Sequence, residues 1–273
     1  MDMTSLYVLA PELLILTASM LLLVGDTFWA KTSPNLTARL SVLSLLGSAV
    51  VIGLSAQPAS IQLFQGAFVR DGVADVLKAS ILIIAGVALC MSRAYLRTRN
   101  IERGEYYVLA LISVLGMMVL ASAYDLLSIF LGMEIMSLAI YAMIGMQKDS
   151  VLAIEAAMKY FVLGAMATGI LLYGLSLIYG GVGSLRLDTI YQVVAATKDS
   201  SLMLNMGLVF VLVGLAFKFG AAPFHMWVPD VYQGTPTGIV MFIATVPAIG
   251  AFALMFRLLI EGLEASMLAW QGL

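Results

Sequence analysis

The chain has 273 residues, 62% of them apolar and only 11% charged, with a formal net charge of −2. Its mean hydropathy is +1.03, which excludes a water-soluble domain of this size; recurring apolar runs of about 20 residues mark an all-α, polytopic membrane protein. The charge balance gives no nucleic-acid surface, and Cys90 and His225, each the single residue of its kind, supply no ligand set for zinc, an Fe–S cluster or bis-histidine haem.

The first apolar run, 6–25, has an acidic flank at Asp2, contains Glu12 and lacks a small-residue cleavage site, so it reads as a retained span rather than a signal peptide. Glu12 is expected at the membrane interface. Further spans are predicted at 36–56, 76–96, 106–122, 126–146, 153–179, 202–232 and 238–260, which makes eight, the seventh discontinuous. No linker divides the chain, so residues 1–273 form one membrane domain. The most polar connection, 180–201, reads as a loop with Gly180, Gly181 and Gly183 as turn residues. No Gly-rich phosphate loop of the GxGxxG or GxxxxGK type is present.

Arg93, Arg97, Arg99 and Arg103 cluster between spans three and four, with Lys31, Arg39 and Lys148 on the same side. Arg70, Lys78, Arg186, Lys198 and Arg257 fall on the other. The positive-inside rule then places the arginine cluster in the cytoplasm and the amino terminus outside.

Three ionisable residues lie well inside predicted spans. Glu134 is about 13 Å into span five at 1.5 Å per residue, with Ser137 and Tyr141 on the same helical face. Lys159 lies about two turns into span six, and the short connection 147–152 makes spans five and six neighbours, so Glu134 is expected to approach Lys159. Lys218 sits at the end of an apolar run, in AFKFGAAPFHMWVPDVYQGTPT (216–237). Pro223 should interrupt the helix there, a half-helix should resume to about Tyr232, and Lys218 should face the protein interior.

A charge in the bilayer costs several kcal/mol and must be paired or wet. A lysine whose contact with a carboxylate opens and closes switches its proton occupancy, and a second lysine at a helix break can receive that proton. The plainer reading of the Glu134–Lys159 pair is a lock between two helices, with Lys159 snorkelling to the interface. His225 is expected to hydrogen-bond a carbonyl near the break, and Asp230 to cap or pair at a helix end. Gly164 and Thr168 read as a close-packing face, and the Met and aromatic residues as packing.

LGMEIMSLAIYAMIG (131–145), EAAMKYFVLGAMATGILLYGLSLIYG (155–180) and the 216–237 segment resemble the antiporter-like membrane subunits of respiratory complex I, and the likeness extends over nearly the whole chain. It implies a proton-translocating subunit of an NADH:quinone oxidoreductase in the bacterial inner membrane. This chain would bind no cofactor, and NADH, FMN, Fe–S clusters and quinone would reside in partner subunits. By motif match, Glu134, Lys159 and Lys218 form the relay, with His225, Asp230 and Tyr141 as accessory residues. The family pattern implies three N-terminal spans in 1–100, the first of two inverted five-helix repeats in 104–262, and a loop at 263–273 leading to a second repeat that the sequence does not contain, as in a fragment, a split gene or a truncated product. A lysine usual in span eight is absent; Pro247 is followed by Ala248. Two alternatives stay open: a subunit of a multi-subunit cation/proton antiporter, and a structural fragment without transport.

Overall fold

The computed structural model describes residues 3–29, 35–55, 60–196 and 202–271. Asp2, Lys31 and Lys198, used above for flank and orientation, lie outside the described residues. Among those described, eight helices are long and apolar enough to cross a membrane. A short α1 (Met3–Val8) leads into α2 (Ala10–Trp29), followed by α3 (Leu36–Ser55), α4 (Gly72–Thr98), α5 (Gly104–Ser122), α6 (Leu126–Ile144), α7 (Val151–Val182), the amphipathic α8 (Leu187–Ala196), α9 (Leu202–Phe219), the half-helix α10 (Trp227–Gly234), α11 (Thr237–Met255) and a terminal α12 (Met267–Trp270). A π-helical turn, Phe256–Gly262, prolongs α11 to complete the eighth span.

Lipid tails offer no hydrophobic driving force between helices, so close approach must come from small residues. The tightest pairs obey this. Where α5 meets α6, a Cβ on Gly116 would lie 2.4 Å from the Met136 nitrogen, and one on Gly132 3.0 Å from the Gly116 oxygen. Where α7 meets α9, a Cβ on Gly174 would lie 2.8 Å from the Gly207 oxygen. α5 is the centre of the bundle: it touches α2, α3, α4, α6 and α11, and Leu111, Val114, Met117 and Met118 on it are fully buried.

Several expectations need correction. α7 runs on to Val182 and is closed by Gly183 at φ +78°, so Gly180 and Gly181 belong to its last turn. The 180–201 connection is not simply a loop: α8 lies within it, with Leu187, Ile190 and Val194 buried. Between spans two and three a two-stranded antiparallel hairpin forms, β1 (Ile61–Leu63) with β2 (Phe68–Arg70); its strands are too short to read from alternation. Span three starts at Gly72 rather than residue 76, because Asp71 caps it by accepting a hydrogen bond from the Ala74 N–H at 2.7 Å.

That shift in the start of α4 matters. Lys78 is a fully buried residue inside the helix, and its Nζ lies 2.5 Å from Glu12 Oε1 and 4.9 Å from the centre of the Phe68 ring. Glu12, in the first turn of α2, is a buried partner of Lys78. Arg257, near the end of predicted span eight, is completely buried.

Candidate functional site

α9 ends with a Schellman arrangement. Gly220 adopts φ +61°, its N–H donates to the Phe217 carbonyl at 3.0 Å, and the Ala221 N–H donates to the Ala216 carbonyl at 2.8 Å. The break is thus made at Gly220, three residues before the proline that predicts it. Trp227, the first residue of α10, donates its indole N–H to the Phe217 carbonyl at 3.1 Å, so the half-helix is tied to the end it continues. Its ring packs between Phe217, at 5.6 Å, and Tyr160 of α7, at 4.6 Å. Tyr160 in turn meets Tyr141 of α6 edge-on at 5.0 Å. This row of rings fixes the break against α6 and α7, the packing role expected of the aromatic residues.

Lys218 occupies the last turn of α9, where the partial negative charge of the helix end favours an ammonium. Its Nζ donates to Ser137 Oγ of α6 at 2.7 Å, and the Ser137 hydroxyl donates to the Met133 carbonyl at 2.7 Å. Glu134 lies on the same face of α6, half-buried, and its charge acts on both Lys218 and Tyr141. The Tyr141 hydroxyl occupies the space above Gly164, where a Cβ would fall 2.1 Å from it, and it faces Thr168 and Ser137. The Gly164/Thr168 face of α7 is therefore the seat of Tyr141.

Lys159 is elsewhere. Its Nζ pairs with Glu155 Oε1, one turn back on α7, and with Asp230 Oδ2 of α10, both at 2.8 Å, in a half-exposed cluster. The expected Glu134–Lys159 contact is absent among the described residues, since two nearer carboxylates take the ammonium. Asp230 pairs at the half-helix as expected. His225 is exposed at the break; among the described residues its ring has no hydrogen bond, and only its carbonyl is used, by the Val228 N–H at 3.0 Å.

At the other ends of the spans lies a second charged assembly. Arg257 grips Asp71 with two N–H···O bonds of 2.8 Å, reaches Glu261 at 2.6 Å, and donates twice more to the Ala121 carbonyl at 3.0 and 2.8 Å. Arg70 pairs with Asp75 at 2.9 Å and with Ser55 at 2.7 Å. With Glu12–Lys78, these contacts tie α2, α3 and α11 to the start of α4. Burial works against the charge on Asp71, but the hydrogen bonds and charge of Arg257 outweigh it and hold the carboxyl below the usual carboxylate range. Nearby, Arg186 holds Asp188 low in the same way.

Eight spans with one broken at an ionisable residue are the architecture in which many membrane transporters place their ion sites. The NADH:quinone oxidoreductase/Mrp antiporter transmembrane family model matches residues 123–271, and the chain belongs to that family. It is 48% identical over 96% of its length to NADH-quinone oxidoreductase subunit N of Hydrogenovibrio crunogenus, covering 55% of that protein. It is 47% identical over its whole length to subunit N of Ruthia magnifica, covering 57%. The chain spans about half the length of the curated relatives it matches. A chain of respiratory complex I from Thermus thermophilus superposes with a TM-score of 0.75 at 33% identity, over 90% of this chain and 52% of that one. A chain of the Mrp complex from Dietzia shares the fold, with a TM-score of 0.76 at 20% identity over 97% and 50%.

Proposed function

We propose that this chain forms the first part of a proton-translocating membrane subunit of a bacterial NADH:quinone oxidoreductase. The observation that carries the reading is Lys218: an ammonium at a helix break, held inside the protein by one neutral hydroxyl and facing a glutamate that makes no ion pair among the described residues. Approach of Glu134 favours the charged form of a lysine and withdrawal favours the neutral amine. A modest shift of α9 against α6 therefore loads or unloads the proton. Ser137 accepts from Lys218 while its own hydroxyl proton is donated to the Met133 carbonyl, so passing a proton on toward Tyr141 requires its hydroxyl to turn from that carbonyl to Tyr141. Lys159, with Glu155 and Asp230, couples the half-helix to α7 and so links movement of the break to the next charged cluster.

In this reading residues 104–262 are the first five-helix repeat and 1–100 an N-terminal extension of three spans. The four-arginine loop faces the cytoplasm, the amino terminus faces outside, and the subunit lies in the inner membrane. NADH, FMN, Fe–S clusters and quinone belong to partner membrane and peripheral subunits. The likeness to an Mrp chain supports a second reading, a subunit of a cation/proton antiporter. Co-purification separates the two, since flavin and Fe–S subunits accompany the first and small antiporter subunits the second.

The relay is tested in the complete enzyme reconstituted into vesicles. Glu134→Ala lowers the rate of proton translocation by about 10²-fold or more, the rate loss typical of removing a positioned proton-transfer group, and Glu134→Asp retains part of the activity. A wild-type rate in a correctly assembled Glu134→Ala enzyme would reduce Glu134 to a structural role.

A further inference from the structure

At the end of the bundle that carries the four-arginine loop, α3, α4 and α5 leave an open groove of about 510 Å³, within the size range of ligand sites, roughly 300–1,000 Å³. Its wall has two layers. Arg39, in the first turn of α3, and Arg93, near the end of α4, stand at the mouth. One turn deeper come Val42 and Leu43 below Arg39, and Leu89 and Cys90 below Arg93. Arg93 is aimed and held by Glu102, at 3.2 Å from its Nε, and by Asn35. Arg39 is exposed and, among the described residues, makes no ion pair.

We propose that this groove binds an anionic glycerophospholipid, with its phosphate between the two guanidiniums and an acyl chain along Val42, Leu43 and Leu89. Charge complementarity sets the headgroup: guanidinium forks match phosphate oxygens, and Arg39 in the first turn of α3 and Arg93 near the end of α4 lie at the ends of apolar spans. The apolar layer begins where the acyl chains begin. A helix of a partner protein fits less well. Close helix contact in membranes is built on small residues, as at Gly116–Gly132 and Gly174–Gly207 in this molecule, whereas the groove presents Val42, Leu43 and Leu89.

The test uses the native membrane complex containing this chain, purified in detergent and supplied with photoactivatable phosphatidylglycerol or, separately, photoactivatable phosphatidylcholine. Adducts are mapped by mass spectrometry of the peptides that carry Leu43 and Cys90. The site predicts adducts on both peptides, about fivefold stronger for phosphatidylglycerol, the preference expected from one arginine–anionic lipid contact. Arg39→Gln removes that preference and Arg39→Lys keeps most of it. Equal labelling by the two lipids, a preference unaffected by Arg39→Gln, or no adduct on either peptide because a partner protein covers them would each overturn the proposal.

Discussion

The two charged regions of this bundle are built to opposite specifications. At the start of α4, every cation meets a carboxylate: Glu12 with Lys78, Asp75 with Arg70, and Asp71 with Glu261 around a completely buried Arg257 whose donors also fill the Ala121 carbonyl. At the break in α9, Lys218 has one neutral hydroxyl and a helix end, and Glu134 has no ion pair among the described residues. Ion pairing makes the first assembly a lock, because opening any pair strands a charge in a medium that cannot solvate it, even though both Glu12 carboxylate oxygens, Lys78 Nζ and Glu261 Oε2 lack a hydrogen-bond partner among the described residues. Under-satisfaction makes the second responsive, since the balance between charged and neutral lysine turns on one carboxylate and one hydroxyl.

The lock should fail hardest when its centre is removed. Arg257→Ala leaves Asp71 and Glu261 without a counter-charge and should cost about 3–5 kcal/mol, the usual penalty for breaking a buried pair. The expected result is a sharply lowered melting temperature and poor assembly, and restoring the charge balance with Asp71→Asn and Glu261→Gln should recover part of the loss. A wild-type melt for Arg257→Ala would mean that the contacts are incidental and would erase the contrast with the break.

Acid should probe the same lock more gently. The Asp71 carboxyl is held below its ordinary range in the folded chain. Its contribution is therefore fully present above the unfolded value of about 3.9 and is lost as pH falls through the lower folded value. Melting temperature should be insensitive to this group between pH 7 and about 5 and should decline only in stronger acid. Asp71→Asn should flatten that decline while lowering the plateau. A decline of unchanged size in Asp71→Asn would assign the acid sensitivity to other carboxylates.

Hydropathy carried the eight spans because each helix must satisfy its backbone within the apolar layer, and the end of α9 followed from the Gly-Ala-Ala-Pro sequence. That Lys218 faces the protein interior was legible for the same reason, since a charge at a break needs a polar partner inside the protein, but its partner Ser137 was not. Other pairings were not. Lys159 chooses Asp230, 71 positions away, and Glu155 over Glu134, a choice set by how α10 folds back on α7. Lys78 and Arg257 fall inside predicted spans but near their ends, and their burial was not legible because span ends are the least defined feature of a hydropathy profile. Had the cap at Asp71 been recognised, α4 would begin at Gly72, and Lys78 would lie roughly 9 Å inside it, in need of a partner such as Glu12. The hairpin at 61–70 and the short α8 had no signal strong enough to separate them from loop.

The central claim, that the lysine at the break carries the transferred proton, is tested most directly by comparing Lys218→Ala with Lys218→Arg in the assembled enzyme, measuring protons translocated per NADH oxidised. A guanidinium keeps the charge and the hydrogen bond to Ser137 but does not release its proton at working pH. The account predicts that both variants assemble and that both lose translocation. Translocation restored by arginine would show that charge alone suffices, and full translocation in Lys218→Ala would remove the lysine from the pathway.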